Sequence, residues 1–509
     1  CSSDLTALAE RLINAIEADA AGTTPFPQEI GYDAREPDPG DIAFLFSGQG
    51  SQYVGMGADL ALAFPQALKA WDEAAAHPAL GALALHDMAF PPRAFTEEAR
   101  AAQTGRLTAM EHAQPAIAVT ALAQLDLLAA AGVRARFAGG HSFGEVMALH
   151  YGGAFTRSTA LSLARARGVA MANAAAGTDG AMLAVQASAE ALRPWLKAHG
   201  DVTLANDNGP WQVALSGPGE AVAALQSALT EAGIKATRLP VATAFHSPIV
   251  SAAVGPFTET LEAASLRSPR LPVYANVTAR RYPRDPVKLP DLLASQIAQP
   301  VRFREMVEAM YAAGARTFVE VGPSSVVAGL TAAILETRPA QIVALDHKRM
   351  NGATAFLAGL GKLAIAGHEV DVQSLFRGMP APPPPQPRPK LAVDINGANH
   401  GKPYPPRTDT PPQLSEAKAE RAPRSMPVAA RTTSTPPTPQ SLPRPPAPPV
   451  ESSVESEETD MPPTHRAEDL AQLRAIVTEL TEAHRTYLDT VARLVGHDTP
   501  AASVALPDP

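Results

Sequence analysis

Among 509 residues there is one cysteine, and it is the first residue. A lone thiol excludes a disulfide framework and a cysteine-based metal site, and no metal site is expected. No run of Lys or Arg interleaves with aromatic side chains, and the formal charge is −9. A nucleic-acid surface is therefore not expected. No uninterrupted apolar run reaches the roughly 18 residues that a membrane span needs, so no span is expected either. Two signatures of a larger synthase are also missing: an Asp-Ser-Leu phosphopantetheine site and a ketosynthase cysteine motif. Cys1-Ser2-Ser3 fits the mature end of a lipoprotein and equally the cut end of a longer polypeptide. The second reading, in a cytoplasmic setting, is preferred.

With 46% hydrophobic residues the chain can build a sizeable core, but its 50 prolines crowd after position 376. The reading is a linker over 1–39 that carries a short amphipathic helix, Asp4 to Ala18, then one globular part over 40–376. A proline-rich linker (377–465) cannot offset its own ordering entropy. Beyond it, a helix over 466–495 places Leu470, Leu473, Val477, Leu480, Tyr487, Val491 and Leu494 at heptad-like spacing, and 496–509 is a tail. A stripe of that kind fits a partner or a second copy of itself.

Within the globular part, Asp41 to Phe46 reads as a buried parallel strand. Gly48-Gln49-Gly50 opens like a dinucleotide fingerprint, but Tyr53 stands where the third glycine belongs, and that reading fails. The stretch is either a plain glycine turn or a Gln49 amide donor at the ligand-binding edge of a sheet. Val133 to Gly139 reads as a strand, and Gly140-His141-Ser142-Phe143-Gly144 as a G-x-S-x-G turn into a helix. That is the context of a nucleophile elbow, although an ordinary strand-helix turn has the same pattern. Arg165 and Arg167 lie on an otherwise apolar helix, where arginines usually snorkel to water. Residues 178–238 alternate β-α-β-β-α-β, which suggests a small ferredoxin-like insertion. His246 follows in a loop, Arg316 to Val321 is another buried strand, and Ile342 to Leu345 with a helix from Gly352 closes the domain.

Four of these stretches in order closely resemble the malonyl-CoA:acyl-carrier-protein acyltransferase family of fatty acid and polyketide synthases. They are Phe46-Ser47-Gly48-Gln49-Gly50-Ser51-Gln52, Gly140 to Glu145, Ala244-Phe245-His246-Ser247 and Glu320-Val321-Gly322-Pro323. Asn276-Val277-Thr278 and Pro300-Val301-Arg302-Phe303 extend the match. Gly140 to Glu145, with Asn396 to Asn399 and Lys402 to Pro406, looks most like the acyltransferase region of polyunsaturated-fatty-acid-type synthases.

The resemblance implies an α/β hydrolase-like parallel sheet with the small subdomain inserted. It implies Ser142 as nucleophile, His246 as its base, and a main-chain carbonyl at Gln296 that orients the imidazole. Gln49 and the Phe143 N–H would form the oxyanion hole. Arg167, 25 residues after Ser142, would hold the malonyl carboxylate, with His141 also at the substrate site. Phe245 resembles the residue of malonyl-selective members, where a ring would crowd an added methyl group; one methyl is worth about 1–3 kcal/mol. No cofactor is expected beyond malonyl-CoA as substrate and the phosphopantetheine of an acyl carrier protein. That carrier, a ketosynthase and other synthase domains are the expected partners, with self-association through 466–495. A hydrolase or editing thioesterase using the same dyad is the alternative, and a non-catalytic interaction module is the third reading.

Overall fold

The computed structural model describes residues 39–241 and 243–377. The helices expected at 4–18 and 466–495, and the proline-rich stretch, lie outside these residues. Eight strands are described: β1 (Asp41–Phe46), β2 (Phe137–Gly140), β3 (Gly180–Val185), β4 (Thr203–Gly209), β5 (Gln212–Pro218), β6 (Ala236–Arg238), β7 (Ala315–Val321) and β8 (Gln341–Ala344).

The main sheet has the order β2-β1-β7-β8 and every pairing in it is parallel. Parallel neighbours need crossover connections, and helices supply them here, so both faces of the sheet are covered. β1 shows this residue by residue. Ile42, Phe44 and Phe46 enter one apolar cluster, while Ala43 and Leu45 enter the cluster on the opposite face. Because side chains alternate along a strand, a strand buried on both faces tends to be apolar nearly throughout. Each fully buried Phe or Leu contributes about 1.5–3 kcal/mol.

The expected strand from Val133 starts late, at Phe137. Gly132 takes a left-handed φ of 77°, and the Val133 N–H turns back to the Leu128 carbonyl at 2.9 Å. The first residues of the expected strand are spent capping the preceding helix.

That helix, Met110–Ala130, is long and apolar enough to cross a membrane, yet 78% of its apolar window is buried inside the protein. It is a core helix, and its buried glutamines each serve a loop. Gln124 accepts from the Gly322 N–H at 2.6 Å and donates to the Gly322 carbonyl at 3.1 Å, fixing the turn after β7.

β3 to β6 with two helices, Ala189–Ala198 and Gly219–Glu231, form the ferredoxin-like subdomain. Its antiparallel sheet runs β4-β5-β3-β6 over a core of its own that includes Leu183, Val185, Leu215 and Leu225. Several links hold it to the main domain, two of them at Asp207 in β4. The Asp207 N–H donates to the Val301 carbonyl at 2.9 Å. Arg304 donates to the Asp207 carboxylate from Nε at 3.0 Å and from Nη2 at 2.9 Å. The end of β4 is thereby pinned beside the C-terminal edge of the main sheet.

Candidate active site

Register brings the separate motifs together. Phe46 pairs with both Gly140 and Val321, so the loops after β1, β2 and β7 leave the sheet side by side. Ser142 lies in the loop after β2 with a φ of 52°, a left-handed conformation that costs a non-glycine residue about 1–3 kcal/mol. The glycines on either side make the turn possible. A Cβ on Gly140 would lie 2.0 Å from the Gly144 carbonyl carbon, and a Cβ on Gly144 would lie 2.1 Å from the Phe46 oxygen. Asn276 clamps the strained turn: its Oδ1 accepts from the Ser142 N–H at 2.8 Å and its Nδ2 donates to the Gly140 carbonyl at 2.7 Å.

The Ser142 hydroxyl lies 2.8 Å from His246 Nε2. The opposite ring nitrogen, Nδ1, donates to the Gln296 main-chain carbonyl at 2.9 Å, which fixes the tautomer with Nε2 free to accept. His246 is 3% exposed and holds its own left-handed φ of 54°. Burial first, and then the nearby Arg167 cation, push its pKa down to about 3. The imidazole is neutral at any ordinary pH, the state a general base requires.

The residue pattern alone leaves Arg167 to snorkel, whereas the resemblance gives it a place at the substrate. Far from snorkelling, it is 1% exposed, and burial lowers its pKa to about 10. Its Nη2 donates to the Gln296 side-chain oxygen at 2.8 Å and approaches Ser142 Oγ at 3.4 Å; Nη1 donates to Gln114 Oε1 at 3.1 Å. All of these acceptors are uncharged. No carboxylate pairs with the guanidinium among the described residues, and its Nε finds no acceptor. Arg165, two positions away, behaves as an ordinary half-buried arginine, donating to the Glu111 carbonyl.

Gln114 also donates to Gln49 Oε1 at 3.1 Å, which ties the Gln49 loop to the amide that holds Arg167. Neither the Gln49 nor the Phe143 main-chain N–H meets an acceptor among the described residues. Phe143 sits where the helix Gly144–Tyr151 begins, so its N–H belongs to the positive end of a helix dipole. His141 is turned away from the dyad: its Nε2 donates to Asn208 Oδ1 at 2.7 Å, its ring packs on Phe303, and burial lowers its pKa. Phe245 directly precedes His246 and packs in the main core.

The residues that sequence reading left without a role are Gln114, Glu145, Asn208, Asn276 and Tyr282. The one signal the sequence carries for Gln114 is an amide within an apolar helix. Asn276 and Glu145 lay inside the quoted motifs, but what they hold depends on residues over 130 positions away. A separate cavity of about 440 Å3, lined by Asp126, Arg134, His150 and Arg270 among others, shares no residue with this site.

Residues 43–370 match the family described as acyl transferase domain. The chain is 36% identical over 349 residues to the spectinabilin polyketide synthase system protein NorB of Streptomyces orinoci, which aligns 66% of this chain and 15% of that much longer protein. It is 35% identical to the malonyl CoA-acyl carrier protein transacylase of Bacillus subtilis, covering 57% of this chain and 89% of the relative. Among solved structures it resembles the acyltransferase domain from the second module of the salinomycin polyketide synthase. That match has a TM-score of 0.62 and 31% identity, and covers 73% of this chain and 85% of that one.

Proposed function

Because the chain belongs to the acyl transferase domain family, we propose that it moves a malonyl group from coenzyme A to the phosphopantetheine thiol of an acyl carrier protein. It would thereby supply extender units for polyketide or fatty acid synthesis in the cytoplasm. The observation that carries this reading is Arg167, a buried cation with only neutral partners, within 3.4 Å of the serine hydroxyl. A neutral acyl chain gives such a cation nothing to bind. The free carboxylate of a malonyl group supplies two acceptor oxygens in the geometry a guanidinium prefers.

The steps follow from the geometry. His246 Nε2 takes the Ser142 proton as Oγ attacks the thioester carbonyl. The carbonyl oxygen becomes an anion, for which the N–H groups of Phe143 and Gln49 are the available donors. Collapse breaks the C–S bond, the imidazolium returns its proton to the leaving thiolate, and a malonyl-serine ester remains. The carrier's thiol then gives its proton to His246 and attacks the ester, and Ser142 regains its hydrogen as it leaves. Main-chain orientation of the imidazole at Gln296 does the work of a triad carboxylate. The whole longer protein, with its ketosynthase and carrier partners, is part of the same proposal.

Intact-mass spectrometry after brief mixing with malonyl-CoA tests the reading. A malonyl adduct is expected on the parent protein and none on Ser142→Ala. Release of coenzyme A with no adduct and no transfer to a carrier would instead establish a hydrolase.

A further inference from the structure

Behind the dyad lies a buried acid that the transfer chemistry does not use. Glu145, fully buried, accepts from Tyr282 Oη at 2.5 Å on one oxygen and from Gln296 Nε2 at 3.0 Å on the other. The Asn276 main-chain N–H lies close by and also favours the charged form. Gln296 is the hub of the site. The same amide Nε2 also donates to the Ser142 carbonyl, its Oε1 accepts from Arg167, and its main-chain oxygen accepts from His246. The Gln296 side chain has only one orientation that suits these neighbours: its oxygen must face the arginine, so its nitrogen must face Glu145.

We propose that Glu145 is a positioning and charge-balancing residue. Through Gln296 it fixes both Arg167 and His246, and it takes up one proton from solvent when the carboxylate of a dicarboxylic acyl group arrives at Arg167. The inference rests on the malonyl reading above.

Two hydrogen-bond donors and no acceptor meet the Glu145 oxygens, the pattern of an ionised carboxylate. Its charge then offsets that of Arg167 in a region with no other acid pairing the guanidinium. A second carboxylate arriving on Arg167 leaves the buried group with one negative charge in excess, which is costly unless one acid is neutralised. Of these groups, only the Tyr282 hydroxyl can turn round and accept a hydrogen bond from protonated Glu145. The titratable and charged groups facing Glu145 are Tyr282 and, from the helix Arg157–Ala175, Arg167; His246 lies beyond Gln296. Burial raises the Glu145 pKa to about 7, holds Tyr282 well above its usual value and keeps His246 near 3. Between pH 6 and 9, Glu145 is the member of this group that changes charge.

The test measures kcat/KM for acylation of Ser142 by malonyl and acetyl thioesters of N-acetylcysteamine, which carry no titrating phosphate, from pH 6 to 9. In the parent protein the malonyl-to-acetyl ratio should fall about tenfold per unit above pH 7, because deprotonated Glu145 opposes only the carboxylate-bearing substrate. In Glu145→Gln the ratio should be flat. Tyr282→Phe removes a donor to the carboxylate and should move the midpoint to higher pH. These parent and Tyr282→Phe profiles decide the matter even where Glu145→Gln does not fold. A pH-independent ratio in the parent, or an unchanged slope in Glu145→Gln, overturns the proposal. A purely structural role would lower both rates together and leave the slope as it is. Failure of the malonyl reading looks different: no preference for the malonyl thioester at any pH, and no change in the ratio in Arg167→Ala.

Discussion

Replacing Arg167 with methionine should damage activity and spare stability, and the two effects come from the same fact. The guanidinium is 1% exposed and held by amide oxygens and the serine hydroxyl rather than by a carboxylate. Folding therefore pays its desolvation without a direct ion pair in return, and an apolar side chain of similar length removes that cost, while Glu145, left without the cation across Gln296, takes up a proton and is neutral. Against this stand two lost hydrogen bonds to Gln114 and Gln296, worth about 1.5–3 kcal/mol each at most. The expectation is a melting temperature within a few degrees of the parent, or above it. Activity moves the other way. Loss of a bidentate, buried charge pair with the malonyl carboxylate costs about 3–5 kcal/mol, which is about 10²- to 10⁴-fold in kcat/KM. Acetyl transfer makes no use of the cation and should hold or rise. Thermal scanning, together with coenzyme A release from malonyl-CoA and acetyl-CoA, reads all three quantities. Malonyl transfer within tenfold of the parent, or malonyl and acetyl rates falling in parallel, would refute the reasoning.

Three further outcomes follow from the geometry. Gly140→Ala forces a methyl group to within 2.0 Å of the Gly144 backbone; it should destabilise the protein by more than about 3 kcal/mol in urea titration and abolish the Ser142 adduct. Gly105, on the helix Glu97–Thr108, has open space where a Cβ would go, so Gly105→Ala should instead stabilise by about 0.5–1 kcal/mol with transfer unchanged. Glu320→Gln should stabilise in a pH-dependent way. Burial raises the Glu320 pKa to about 7, so the folded state binds the extra proton between the unfolded value and pH 7. The cost of its charge is accordingly absent in acid and complete above pH 7, and the glutamine variant should gain about 1–3 kcal/mol at pH 8.5 and little at pH 4.5 in the same titration.

Much of the main sheet could be read from the residues because buried parallel strands are mostly apolar. Ile42 to Phe46 carries that mark fully, and Ala315 to Val321 carries it in Phe318, Val319 and Val321 around the buried Thr317 and Glu320. The elbow strand starts at Phe137 rather than Val133, since an apolar Val133 fits a helix cap as well as a strand. The ferredoxin-like order of 178–238 was legible because short amphipathic helices and strands have different periods. Ser142 and His246 could be named from short motifs, and their distance of 2.8 Å was beyond any sequence pattern.

What the sequence determined by itself was local: glycines at 140 and 144 where no Cβ fits, apolar runs that must be buried, and a serine and a histidine in recognisable settings. What only the tertiary structure decided was non-local. Arg167 is a buried cation because the helix carrying it packs against Met110–Ala130, whose Gln114 meets it; the same residues on an exposed helix would leave it in water. Gln296 joins the base, the cation and Glu145 because its side chain and main chain face different elements. Dielectric and hydrogen-bond geometry depend on everything within a few ångströms, and the chain brings those neighbours in from more than 100 positions away.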